Sequence, residues 1–180
     1  MKSVIFSLAA LIATSFLLTS LPAAAQSEVM TDAHIDRIKS NCQAALGTLS
    51  RIHANDAPAY INRNQTYFSI SDKLMAHLNS RLTLNRFDAT DLVKTASSFN
   101  TALAKFRTSY KQYDETMSEV LKIDCRRQPV SFYDKVGETR QQRQKVNESV
   151  RQLQSLIDQY RDGVQAFKVK HMEQLTGGRS

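Results

Sequence analysis

The side chains able to do chemistry in this 180-residue chain are few and scattered. Cys42 and Cys125 are the only cysteines, and the histidines are His34, His53, His77 and His171. Two thiolates fall short of the four ligands of a structural zinc site, and no histidine stands at a spacing that would complete one. The Glu-x-x-His pattern of carboxylate-bridged di-iron bundles is missing. No glycine-rich phosphate loop, nucleophile elbow, HExxH or CxxC occurs. Without a motif that positions a nucleophile, base or metal, the chain reads as non-enzymatic, with no metal and no cofactor.

What remains is hydrogen-bonding and ion-pairing chemistry. The block Asn62-Arg63-Asn64-Gln65, the cluster Tyr110, Tyr113 and Asp114, and Arg140 and Arg143 within a wholly polar stretch from Gly137 to Lys145 all interrupt apolar surroundings. Arginine suits such a cluster because its planar fork holds a carboxylate bidentately or stacks on a ring. If the three segments share one level, they form either a polar layer that fixes helix register or a recognition site for a small polar ligand or peptide. The tyrosines near these segments also serve as seam packing with their hydroxyls turned to water or a partner. Asn64-Gln65-Thr66 and Asn147-Glu148-Ser149 match the glycosylation sequon, a three-residue pattern that arises readily by chance.

The elements that must position these groups are helices. From Leu92 through Ala96, Phe99, Leu103, Phe106, Tyr110, Tyr113 and Met117 to Val120 the apolar spacing alternates four and three, the repeat of a helix laid along partner helices. A first helix opens at Thr31 or Asp32 with the seam Ile35, Ile38, Cys42, Ala45, Leu49 and Ile52. Beyond Asn55-Asp56-Ala57-Pro58, a turn or a kink, two stripes run side by side: Tyr60, Tyr67, Leu74 and Leu78, and Ile61, Phe68, Met75 and Leu82. Asn85 to Asp91 is a corner, after which the second helix runs to Cys125, with Arg126-Arg127 beside its negative end. Pro129 opens a third helix as a first-turn proline, with the seam Val130, Tyr133, Val136, Val146, Val150, Leu153, Ile157, Tyr160, Val164 and Phe167. Thr176 to Ser180 reads as a frayed tail, residues 26–175 as one helical domain.

Residues 1–25 carry the marks of a secretory leader: Lys2, an apolar run from Val4 to Leu18, Pro22, and the small-residue site Ala23-Ala24-Ala25, which places the mature start at Gln26. The alternative is an uncleaved N-terminal anchor, since Ser3 to Leu21 is just long enough to span a bilayer. The net charge of +7 is spread along the chain, suiting solvated helix faces and at most weak association with anionic surfaces. Nucleic-acid binding would call for a denser basic stripe with exposed aromatics.

An even cysteine count in an exported chain points to a Cys42–Cys125 disulfide. That bridge selects the architecture. With a tight turn at Pro58 and four helices, the cysteines differ in level by roughly 30 Å, whereas a first helix that runs on with a kink brings them to about 5–10 Å. Bridged Cα atoms lie within ~7 Å, so the expected fold is all-α: an antiparallel bundle of three long helices, the first kinked near Pro58, forming a rod about 60–80 Å long.

Cys42, the block Asn62-Arg63-Asn64-Gln65 and the run from Ile123 through Asp124-Cys125-Arg126-Arg127-Gln128-Pro129 to Asp134 together resemble a group of uncharacterised secreted helical proteins from small-genome candidate-phylum bacteria of the Saccharibacteria kind. The resemblance implies a secreted coiled-coil protein and carries no activity with it. The functional expectation is therefore an exported interaction or structural protein of the cell envelope or extracellular space, with a protein or envelope-surface partner. A periplasmic-type chaperone or a small-ligand-binding bundle is the alternative. Against the chaperone stands a seam that reads as fully committed to the core, where client binding wants a large exposed apolar patch.

Overall fold

The computed structural model describes residues 30–177. Regular structure among them is helical throughout: α1 (Asp32–Ser69), a π-helical segment (Ile70–Ala76), α2 (His77–Leu84), α3 (Thr90–Val120) and α4 (Pro129–Gly177). α1, the π segment and α2 follow one another without a break, so the chain makes three long helical arms joined at residues 85–89 and 121–128. The leader, its cleavage site and the anchor alternative lie outside the described residues. No described helix is long and apolar enough to cross a membrane.

The arm ends follow from local chemistry. Thr31 adopts an extended backbone and its hydroxyl accepts the His34 N–H at 3.4 Å, with Asp32 in the positive first turn. At the first corner Arg86 takes φ 60°, the left-handed position after a helix that glycine usually fills, and the Phe87 N–H closes onto the Leu82 carbonyl at 2.9 Å. Asp88 then accepts both the N–H (3.2 Å) and the hydroxyl (2.8 Å) of Thr90, starting α3. The sequence carries that helix to Cys125, but it ends at Val120. The Asp124 carboxylate takes the N–H groups of Arg126 (3.0 Å) and Arg127 (3.1 Å), a local turn that competes with helix. Pro129 opens α4 as expected, while Thr176 and Gly177, read as tail, still lie within it.

Every seam position from Leu92 to Val120 is buried, so α3 is the central arm. α3 and α4 pack closely because small residues face each other: the Ser109 and Ser149 hydroxyls meet at 3.4 Å, and a Cβ on Gly163 would stand 2.9 Å from the Leu92 side chain. Val146, Val150, Leu153 and Tyr160 of α4 are buried as their spacing implies. Its first turns differ: Val130 and Tyr133 are exposed, while Phe132 and Thr139 are buried. The corner delivers Phe132 against Val120 and Cys125 in a second apolar cluster, and the seam there follows from that contact.

In the first arm neither stripe is buried along its whole length. Tyr67 is buried but Leu74 is 62% exposed, whereas Phe68 is 50% exposed and Met75 only 1%. The burial passes from one stripe to the next across the π segment, where the wider i→i+5 turn consumes an extra residue and moves the facing side by one position. Ile61, Phe68 and Leu74 are left exposed, so the seam is not wholly committed to the core.

The disulfide joins Cys42 of α1 to Cys125, 83 residues apart, with Cα atoms 5.6 Å from each other and both residues buried. Below it the contacts fall in a regular order. Along the first arm His53, Asp56, Tyr60, Asn64 and Tyr67 meet Asp114, Tyr113, Tyr110, Arg107 and Phe99 in turn. On the α4 side Asp56 meets Arg143 and Asn79 meets Tyr160. Pro58 lies inside α1, where it withholds the N–H that would otherwise bond the Ala54 carbonyl.

Candidate functional site

Three residues after His53 comes Asp56, four after that Tyr60, and four more Asn64: one face of α1 turned toward α3. Each makes a specific contact. His53 Nε2 lies 2.7 Å from Asp114 Oδ1. Asp56 receives Arg143 through two parallel bonds, Nε to Oδ2 and Nη2 to Oδ1, both 2.9 Å, and the Tyr113 hydroxyl donates to Oδ2 at 2.6 Å. Tyr60 stacks on Tyr110 with ring centroids 3.7 Å apart and planes 4° from parallel. Arg107 Nε donates to Asn64 Oδ1 at 2.7 Å. Lower down, Ser71 donates to Asn100, and Tyr160 donates to Asn79 at 2.8 Å.

Asp56 is the hub of this ladder. Burial opposes its ionisation, but the Arg143 guanidinium and the Tyr113 hydroxyl outweigh that and hold its carboxyl below the usual carboxylate range. Burial pushes the Tyr113 phenol up, reinforced by its bond to the Asp56 carboxylate. Tyr110 rises to about 12, through burial and then the neighbouring charges of Asp114 and Asp56. Asp56, Tyr60, Arg63, Tyr110, Arg143 and Asn147 line a cleft of about 200 Å³.

The residues singled out in the sequence divide. Tyr110, Tyr113, Asn64 and Arg143 join the ladder, and Arg63 lines the cleft. Asn62 and Gln65 do not; they border a separate shallow depression with Lys73 and Leu74. Consecutive helical residues point about 100° apart, so a four-residue polar block has no common face. Arg140 does not reach Asp114, which is held by His53. The same rotation turns Tyr113 inward and its neighbour Asp114 toward α1, away from α4. His53, Asp56 and Arg107 belong to the ladder although no motif marks them for it, and Asn55-Asp56-Ala57-Pro58 carries the composition of a turn. The spacing 53, 56, 60, 64 is the signal that sets His53 and Asp56 on one face with Tyr60 and Asn64; no comparable spacing marks Arg107. Within the polar stretch of α4 Thr139 is buried and donates to the Lys135 carbonyl at 2.8 Å. Gln142 Oε1 is buried without a partner among the described residues.

Beside the cleft, and sharing Tyr113 and Arg143 with it, lies a groove of about 580 Å³ between α1 and the first turns of α4. Ile38, Leu49, Ile52, Met117, Phe132 and Val136 give it an apolar lining. It exists because Ile38, Ala45, Leu49 and Ile52 are only half-buried: α1 stands off from α4 where α3 and α4 press together. Among the described residues no three His, Cys, Asp or Glu side chains gather as a metal-ligand set. No protein-family model, curated protein or solved structure matches the chain.

Proposed function

We propose that this chain is an exported, non-enzymatic recognition protein of the cell envelope or extracellular space. In this reading it is an antiparallel bundle of three helical arms, the first kinked near Pro58 and stapled by the Cys42–Cys125 bridge, offering the face between its first and last arms to a partner. The observation that carries it is the uncovered apolar groove beside a fully satisfied polar ladder. The disulfide suits an oxidising compartment, as does the leader pattern at Ala23-Ala24-Ala25. The ladder's chemistry favours holding over reacting. Asp56 is engaged on both oxygens and held acidic, opposite to the upward shift that makes a carboxylate a general base. The ladder's structural work is to fix the register of the first arm.

The test has two parts. N-terminal sequencing of protein from the exported fraction gives Gln26 at the start, and alkylation without reductant labels neither cysteine. A photo-crosslinking residue at Ala44, on the groove rim, gives a discrete adduct in intact envelopes, and one at Thr101, exposed on α3, gives none. Cytosolic retention with two free thiols would overturn the reading. A second reading, a chaperone for unfolded clients, is favoured by the exposure of Ile61, Phe68 and Leu74. It requires that stoichiometric protein suppress the aggregation of a reduced, unfolded client.

A further inference from the structure

The groove has a length, a volume and a sign. From Ile38, near the disulfide, to Ile52 it follows α1 for about 21 Å at 1.5 Å per residue. Its 580 Å³ falls within the ~300–1,000 Å³ of small-molecule sites. No carboxylate lines it; its charged residues are Arg140 and Arg143, both at the end away from the disulfide. Arg143 is shared with Asp56, while Arg140 is exposed and has no carboxylate partner among the described residues.

We propose that the groove binds a single-chain anionic amphiphile, a long-chain carboxylate, with its tail along the Ile38–Ile52 wall and its head at Arg140 and Arg143. The inference rests on the reading of this face as the recognition surface and names what it recognises. A peptide helix laid along the groove is about 10 Å wide and presents side chains of its own on every face, whereas the lining offers one apolar wall and one positive end. A methylene chain is thinner and brings no backbone groups that need partners. The sign follows from the two guanidiniums, against which a cationic head would stand like charge to like charge. Arg140 supplies the unshared charge, and its exposure leaves the head in contact with water.

The experiment is calorimetric titration of the exported protein with octanoate, decanoate and dodecanoate, each below its micelle-forming concentration, and with dodecyltrimethylammonium. One saturable site is expected, with affinity rising about fourfold per methylene added to the buried tail. Arg140→Gln weakens dodecanoate binding about two- to fivefold, as an exposed ion pair does. Ala44→Trp, at an exposed rim position, fills the groove and abolishes binding while leaving the unfolding midpoint in place. Equal affinity for the cationic amphiphile, unaltered binding in Ala44→Trp, or no binding of dodecanoate overturns the proposal. If dodecanoate fails while the Ala44 cross-linker still captures an envelope component, the amphiphile is wrong and the recognition reading stands. Loss of both removes both.

Discussion

Asp56→Ala tests whether the ladder fixes the first arm in register. Two partners lose their acceptor. Tyr113, a ring only 1% exposed, is left with a buried hydroxyl that nothing receives, at about 1–3 kcal/mol. Arg143 is 48% exposed and returns to water, so its share is about 0–1 kcal/mol. The variant should therefore lose about 1–4 kcal/mol, a fall in Tm of several degrees for a domain of this size. Tyr113→Phe removes the hydroxyl while Asp56 keeps its bidentate arginine, and should cost about 1 kcal/mol. In the double variant no hydroxyl is stranded, so its loss should not exceed that of Asp56→Ala alone, a coupling of about 1–2 kcal/mol. Urea unfolding followed by far-ultraviolet circular dichroism, with the disulfide intact, measures all three. Losses of a few tenths that simply add would show these groups to be solvated and the ladder to be no register device. The same carboxyl gives an acid signature. Its folded pKa is depressed, so its contribution is full above the unfolded value of about 3.9 and is lost as pH falls through the lower folded value. Asp56→Asn should lack that part of the acid destabilisation.

At the alkaline end, Tyr67, Tyr110, Tyr113 and Tyr160 are all held un-ionised beyond the ordinary phenol value, so stability should fall as pH rises past about 10. Ultraviolet titration should show these four ionising late, Tyr110 near 12, and four early transitions would refute the buried assignments. Reducing Cys42–Cys125 frees a loop of 83 residues, worth about 4–5 kcal/mol of chain entropy, and should lower the unfolding midpoint in proportion; an unmoved midpoint would show the arms to be held without the bridge. Gly47 lies in mid-helix with open space around the position of a Cβ, so Gly47→Ala should stabilise by about 0.5–1 kcal/mol. Arg86→Gly relieves the left-handed residue at the first corner and should also stabilise, whereas Gly163→Ala must displace Leu92; scanning calorimetry separates the three.

The all-helical class, both corners and the cysteine pair could be read from the chain because each is a local or periodic property. A four–three alternation of apolar residues specifies a buried helix face wherever partners come from, and Leu92 to Val120 obeyed it at every position. Thr31 and Pro129 act through backbone groups within a few residues of themselves, so their roles as helix starts needed no tertiary information. The even cysteine count in a chain read as exported pointed to the Cys42–Cys125 pair, and the rise of a helix then favoured a first helix that runs on past Pro58.

Facing was decided by the tertiary structure. Two stripes, one through Tyr67 and one through Met75, are equally apolar on paper, and the π segment between them determines where burial changes from one to the other. Val130 and Phe132 are likewise both apolar, and the packing of the second corner against Val120 chose Phe132. The polar ladder shows the same division. Tyr113 and Arg143 stood out by composition, but a rotation of about 100° per residue separates neighbours in sequence, sending Asp114 to His53 and giving Arg143 to Asp56. Sequence periodicity determines that a helix has a buried side; which polar groups meet depends on the angle and distance between helices, and those are set jointly by all three arms.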